Sequence, residues 1–254
     1  MSGHSKWANI KHKKGAADAK KGKIFSKIAK EITVAAKDGG GDPGANPHLR
    51  QAMDKAKEAN MPNDNVERAI KRGTGELPGV SYEQVQYEGY GSAGVAILVE
   101  ALTDNKNRTT SDVRNIFSKR GGNMAGAGSV AWIFARKGLI IISKDAMGED
   151  ALLSMVIDTG AEDMKTEDGN YEITTSVDKF EDIKNKLKDN NIDYISAGIT
   201  MIPSNTIRLT GQDAKQVLLL MEELESHDDV QDVHANFDIP DKIIEEVVGE
   251  DTGS

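Results

Sequence analysis

The sequence predicts an α+β multidomain protein: a small N-terminal helical domain, then two α+β domains, one of them ferredoxin-like and inserted in the other. Three observations predict it. Through residue 73 apolar residues recur at helical spacing between sharp breakers. From about residue 81 the period becomes alternating, as in strands. Residues 138–202 then read strand, helix, strand, strand, helix, strand, which is the ferredoxin-like order. The expected divisions are a basic helical domain at 1–79, a discontinuous α+β domain from 80–136 with 204–240, an inserted domain at 137–203 and an acidic tail at 241–254.

The first helix, near residues 16–37, places Ile24, Ile28 and Ile32 four apart, with Ala35 and Ala36 continuing the stripe and Lys20, Lys23, Lys27 and Lys30 on another face. Gly39–Gly41 stop it. Asn46 caps and Pro47 starts a second helix whose apolar face is Leu49, Ala52, Met53 and Ala56. A third, after Pro62, turns Val66, Ala69 and Ile70 inward and is expected to end at Gly73 as a left-handed C-terminal glycine. YEQVQYEGY and GVAILVEALT read as a hairpin, followed by a helix with Val113, Ile116 and Phe117 inward, a glycine-rich connection and a strand SVAWIFARKG. The ferredoxin-like set begins with a separate strand, GLIIIS. After Pro203 come a strand NTIRLTG, a helix from Gln212 and a strand DVQDVHANF. These complete the first α+β domain only if the intervening set is an insertion, because a lone β-α-β tail would have no sheet partner.

Composition excludes several chemistries. The 254 residues contain no cysteine, which removes disulfides, thiolate metal sites and thiol catalysis and fits a reducing, cytoplasmic setting. No apolar run approaches the roughly 20 residues that cross a bilayer, so neither a membrane nor a secretory role is expected. The five histidines form no metal-ligand spacing, and no nucleophile-elbow or phosphate-loop motif occurs. The glycines of RGGNMAGAGSVAW follow a helix and precede a strand, the reverse of a dinucleotide loop, and read as a helix cap and a permissive connection. The expectation is a non-enzymatic protein with no cofactor, metal or small-molecule substrate.

The net charge of −9 conceals an asymmetry: residues 1–72 carry 16 basic against 8 acidic residues, about +8, while the remainder carries 16 against 33, about −17. Asp18 is the sole acid among the first 30 residues, so ion pairing within a helix does not account for the lysine run. Lys6, Lys11, Lys13, Lys14, Lys20, Lys21, Lys23 and Lys27, with Trp7 and His12, are therefore the candidate nucleic-acid-binding residues. Trp7 serves either as a stacking platform for a base or as a local core anchor.

The motifs GHSKWANIKHKKGAADAKKGKIFSKIAKEI, GGGDPGANPHLRQAMDKAKEANMPNDNVERAIKRGTGE, YEGYG, LTDNKNRTTSDVRNIFSKRGGN and GSVAWIF, in that order, closely resemble the YebC/PmpR family. The resemblance implies a helical domain and two α+β domains, one inserted in the other's sequence, with no enzymatic activity. It also implies one of two roles: regulation of transcription at promoters, or a translation role like that of the mitochondrial activator of cytochrome oxidase subunit synthesis and of bacterial members that help ribosomes through proline-rich stretches. The residues favour rRNA and the ribosome over promoter DNA. A −17 remainder repels a duplex laid across it, and no recognition helix presents base-reading Arg, Asn or Gln at its start.

Overall fold

In the computed structural model the protein is described for residues 18–167, 169–240 and 243. Three helices open the described chain: α1 (Asp18–Gly39), α2 (Pro47–Glu58) and α3 (Asn63–Gly73). Then follow β1 (Glu83–Tyr90), β2 (Ala96–Thr103), α4 (Lys106–Lys119), β3 (Asn123–Ala125), β4 (Phe134–Ser143), α5 (Glu149–Thr159), β5 (Ala161–Glu167) and β6 (Asn170–Thr175). The remainder is α6 (Phe180–Asp189), β7 (Ser196–Pro203), β8 (Ile207–Arg208), α7 (Gly211–Ser226), β9 (Val230–Ala235) and β10 (Phe237–Asp238). The expected acidic tail lies outside the described residues apart from Ile243.

The three helices share a core of Ile28, Ile32, Ala36, Leu49, Ala52, Ala56, Met61, Val66 and Ala69. Ile24 does not join it and is 41% exposed; Phe25 packs there instead, because the buried stripe runs 25–28–32–36, which follows the 3.6-residue turn. Asn46 is buried and joins two helix ends: its Oδ1 accepts from Leu49 N at 3.0 Å, while its Nδ2 donates to Ala35 O at 2.7 Å and Gly40 O at 2.9 Å. Gly73 ends α3 but is not left-handed; that conformation falls at Gly75, with φ 82°. Gly73 is required by close packing, since a Cβ there would stand 2.4 Å from Thr33 O and 2.7 Å from Ala36 Cβ on α1. An alanine on an open helix surface gains up to about 1 kcal/mol over glycine. Gly73→Ala is expected instead to lose about 1–2 kcal/mol net by forcing α1 and α3 apart, measured as a lower thermal midpoint.

The first four-stranded sheet has the order β3-β1-β2-β9 and so combines stretches of chain more than 100 residues apart. β1 and β2 form the expected hairpin, in register from Glu83↔Thr103 to Tyr90↔Ala96. Ile97, Val99, Val113, Phe117, Leu218 and Leu224 are buried. Gly89, the first glycine of YEGYG, lets the Phe117 ring and Asn123 O approach to 2.6 and 2.7 Å of where a Cβ would sit. This sheet and its helices group with the helical domain in one compact unit, residues 18–129 and 212–233.

The other unit holds residues 130–211 and 234–240. Its antiparallel sheet has the order β5-β6-β4-β7 and, with α5 and α6, makes the ferredoxin-like arrangement around Ile140, Ile142, Leu152, Val156, Ile173, Phe180, Ile183 and Leu187. Two strand assignments change. The expected strands at 129–138 and 138–143 are one ten-residue strand, β4, which pairs with β7 along 134–141 and with β6 along 138–143. Gly138 is no break; the Phe180 ring fills the space that a Cβ would enter at 2.5 Å. The expected strand after Pro203 contributes only Ile207 and Arg208, paired parallel with Phe237 and Asp238 outside both four-stranded sheets.

Candidate nucleic-acid interface

Lysines at 23, 27 and 30 lie three and four apart and project from one face of α1. Lys23 Nζ donates to Ser226 O at 3.1 Å, Lys27 Nζ to Glu225 O at 2.7 Å, and Lys30 Nζ to Asp228 O at 3.0 Å. These carbonyls belong to the C-terminal end of α7 and the turn beyond it. α7 has no basic residue in its own last turn, so its negative end is met by cations of α1. Two of the candidate phosphate-binding lysines, Lys23 and Lys27, thus bind the fold itself. Lys21 is exposed and Lys20 falls in the first turn of α1, whereas Lys6, Trp7, Lys11, His12, Lys13 and Lys14 lie outside the described residues.

The lysine face leads to Asp229, which is buried between α7 and β9. Its Oδ1 accepts from Lys30 Nζ at 2.7 Å. Its Oδ2 accepts from an Arg108 guanidinium nitrogen at 2.7 Å, Thr109 Oγ1 at 2.7 Å and Thr103 Oγ1 at 3.2 Å. Burial pushes this carboxyl upward, but the bonds from Lys30, Arg108 and Thr109 outweigh it and hold it well below the ordinary aspartate range. Asp229 N–H donates to His227 Nδ1 at 3.1 Å, which leaves Nε2 as the ring's donor in the neutral form, 3.3 Å from Asp112 Oδ2. Lys30 also sits 5.5 Å from the centroid of the Tyr82 ring.

Around this hub lies a cleft of about 1160 Å³. Its walls come from α1, α4, the α7–β9 turn, Arg72 and residues 78–80. Its acids are engaged: Asp104 and Asp229 by Arg108, Asp228 by Lys23 at 3.7 Å, and Asp112 by His227. The Arg72 guanidinium makes no hydrogen bond or ion pair with any described residue. No group of three or more His, Asp or Glu among the described residues is placed to hold a metal. No described helix is long and apolar enough to cross a membrane.

Sequence reading missed the Asp229 hub, because residues 30, 103, 108, 109 and 229 meet only through tertiary packing. The local signal was faint: α4 is capped by Asn105 and has no acid in its first turn, although acid usually favours that end. The glycine-rich connection is as expected at its start. Gly121 (φ 74°) closes α4 while Gly122 N–H donates to Phe117 O at 2.8 Å, a left-handed helix cap. Farther on, Gly128 N–H donates to the buried Glu88 carboxylate at 2.6 Å.

Comparison with known proteins agrees with the motifs. Residues 5–76 match the TACO1/YebC protein N-terminal domain, and residues 82–237 match the TACO1/YebC second and third domain. A probable transcriptional regulatory protein of Dictyoglomus turgidum is 57% identical, covering 96% of this chain and 99% of its own. One of Natranaerobius thermophilus is 56% identical over 96% and 99% of the two chains. The crystal structure of a conserved hypothetical protein, Aq1575, from Aquifex aeolicus is 45% identical, with a TM-score of 0.78 over 88% of this chain and 92% of that one. The Dictyoglomus and Natranaerobius relatives are named as probable transcriptional regulatory proteins, and the chain itself belongs to the TACO1/YebC family.

Proposed function

We propose that the protein is a non-enzymatic, nucleic-acid-binding regulator of gene expression that acts in the cytoplasm as a ribosome-associated translation factor. Its basic N-terminal segment contacts rRNA and so aids synthesis of difficult sequences such as proline-rich ones. The observation that carries this reading is the charge segregation: about +8 in residues 1–72 against about −17 in the rest, with Asp18 the sole acid in the first 30 residues. The geometry refines it. Lys23 and Lys27 are occupied by carbonyls of the fold, so the proposal gives the larger share of the phosphate and base contacts to Lys6, Lys11, Lys13 and Lys14, with Trp7 and His12, and a smaller share to Lys20 and Lys21. The same proposal gives the basic helical domain, 1–79, the contact with rRNA. The discontinuous domain (80–136 with 204–240) and the inserted domain (137–203) touch the ribosome at selected points. No cofactor, small-molecule substrate or membrane is required.

One observation favours a second reading, action at promoter DNA: the relatives carry the name probable transcriptional regulatory protein. Sucrose-gradient fractionation of cell extract with and without nuclease, followed by crosslinking of bound nucleic acid, separates the two. The expected result is co-migration with ribosomes and crosslinks to rRNA. Promoter fragments without a ribosomal fraction would establish the second reading.

A further inference from the structure

The outward face of α4 carries a cation and no carboxylate although it lies in the acidic part of the chain. Asn107, Ser111, Arg114, Asn115 and Ser118 are all exposed, and their spacing of i, i+4, i+7, i+8 and i+11 places them on one stripe. The opposite face buries Thr109, Val113, Ile116 and Phe117, which fixes the stripe toward solvent. Lys106 is exposed in the first turn, at the N-terminal end of the stripe and about 100° round the helix from Asn107. There is no carboxylate on the stripe. The one acid of the helix, Asp112, is turned to His227, and Asp104, just before it, is held by Arg108 at 2.9 Å. The side chains of Lys106 and Arg114 make no hydrogen bond or ion pair with any described residue. A cation in the first turn opposes the helix dipole, so Lys106 costs the helix some stability with no compensating hydrogen bond or ion pair to a described residue.

We propose that this stripe is a second nucleic-acid contact surface, which binds the sugar–phosphate backbone of RNA. The inference rests on the nucleic-acid reading above and adds a site to it. The occupant follows from the chemistry of the stripe. Arg114 offers a planar fork matched to a phosphate, Lys106 a point charge, and the Asn and Ser side chains short donors and acceptors of the kind that position a backbone. The stripe has no aromatic or large aliphatic side chain, so it lacks the apolar anchor that a protein interface is built on and the flat face that stacking on bases needs. It lies on the helix that lines the cleft through Arg108 and Asp112, where Arg72 on another wall makes no hydrogen bond or ion pair with any described residue.

The test uses the full chain and a labelled single-stranded RNA of mixed sequence, with affinity measured across a salt series. One variant is Lys106→Glu with Arg114→Glu; the control is Lys186→Glu with Lys188→Glu on α6, which changes net charge equally. All four side chains lie at the surface, so both variants should fold, with melting temperatures shifted only slightly and in opposite directions: a carboxylate in the first turn of α4 suits the helix dipole, whereas reversal of the last-turn lysines of α6 opposes it. The α4 variant is expected to bind about tenfold more weakly than the control. Its salt slope should be shallower by about 1.4, at roughly 0.7 for each of two single-strand phosphate contacts. Steep salt dependence in the unmodified protein with equal affinities for the two double variants would overturn this inference alone. Flat salt dependence in the unmodified protein would overturn the nucleic-acid reading and this surface with it.

Discussion

Asp229→Ala is expected to destabilise the protein by about 3 kcal/mol, measured as a lower urea midpoint with an unchanged slope. The carboxylate is the shared acceptor of Lys30 on α1, Arg108 and Thr109 on α4 and Thr103 on β2. Removing it leaves the Lys30 ammonium, whose side chain is 14% exposed, without its countercharge, and returns the Thr103 and Thr109 hydroxyls to each other and to Asn105 O at 3.2 Å from Thr109. The expected value is at the lower end of the range for buried pairs because Arg108 is half-exposed and recovers solvation. Asp229→Asn keeps the shape and removes the charge, so it separates electrostatics from packing. The folded carboxyl is held below its ordinary value of 3.8. Its contribution is therefore fully present above that value and is lost as the pH falls through it toward the folded value. The difference in midpoint between the unmodified protein and Asp229→Asn should be constant above about pH 5 and shrink below about pH 4. A difference that does not change down to pH 3 would show that ionisation of Asp229 is not what joins α1 to the first sheet.

What could be read from the sequence was what neighbours in the chain decide. The cap at Asn46, the stop after Gly39 and the reversal at Gly121 depend on residues within a few positions, and each is where the pattern placed it. Gly138 and Gly73 misled for one reason: a glycine looks like a break or a cap in the sequence, while the cause here is a side chain or backbone arriving from another element. β8 fails as a strand of the main sheet because its partner, β10, lies 30 residues on and forms only a two-residue ladder. The candidate site divides similarly. That Lys23, Lys27 and Lys30 share a helix face is a matter of period. That their ammonium groups meet carbonyls of residues 225–228, about 200 positions away, follows from no spacing in the chain.

That division leads to the second large effect. Reversal of Lys6, Lys11, Lys13 and Lys14 to Glu is expected to weaken RNA binding by at least about 100-fold at low salt and to reduce the salt slope by about 3, at roughly 0.7 for each phosphate left without its lysine, with no change in melting temperature. Lys23, Lys27 and Lys30 changed together to Gln should do the converse, lowering the melting temperature while RNA affinity falls only a few-fold. The reason lies in what the second set already holds. The C-terminal end of α7 carries roughly half a negative charge and has no basic residue of its own. Asp229 adds a full charge at 2.7 Å from Lys30. A phosphate competing for these lysines would have to replace three hydrogen bonds to carbonyls and a buried ion pair. The proposal assigns the phosphates to the lysines before α1, which lie outside the described residues. If the Gln variant instead keeps its melting temperature and no longer binds RNA, the α1 face does leave the α7 end for phosphate, and the packing of the helical domain on the first sheet is exchanged on binding.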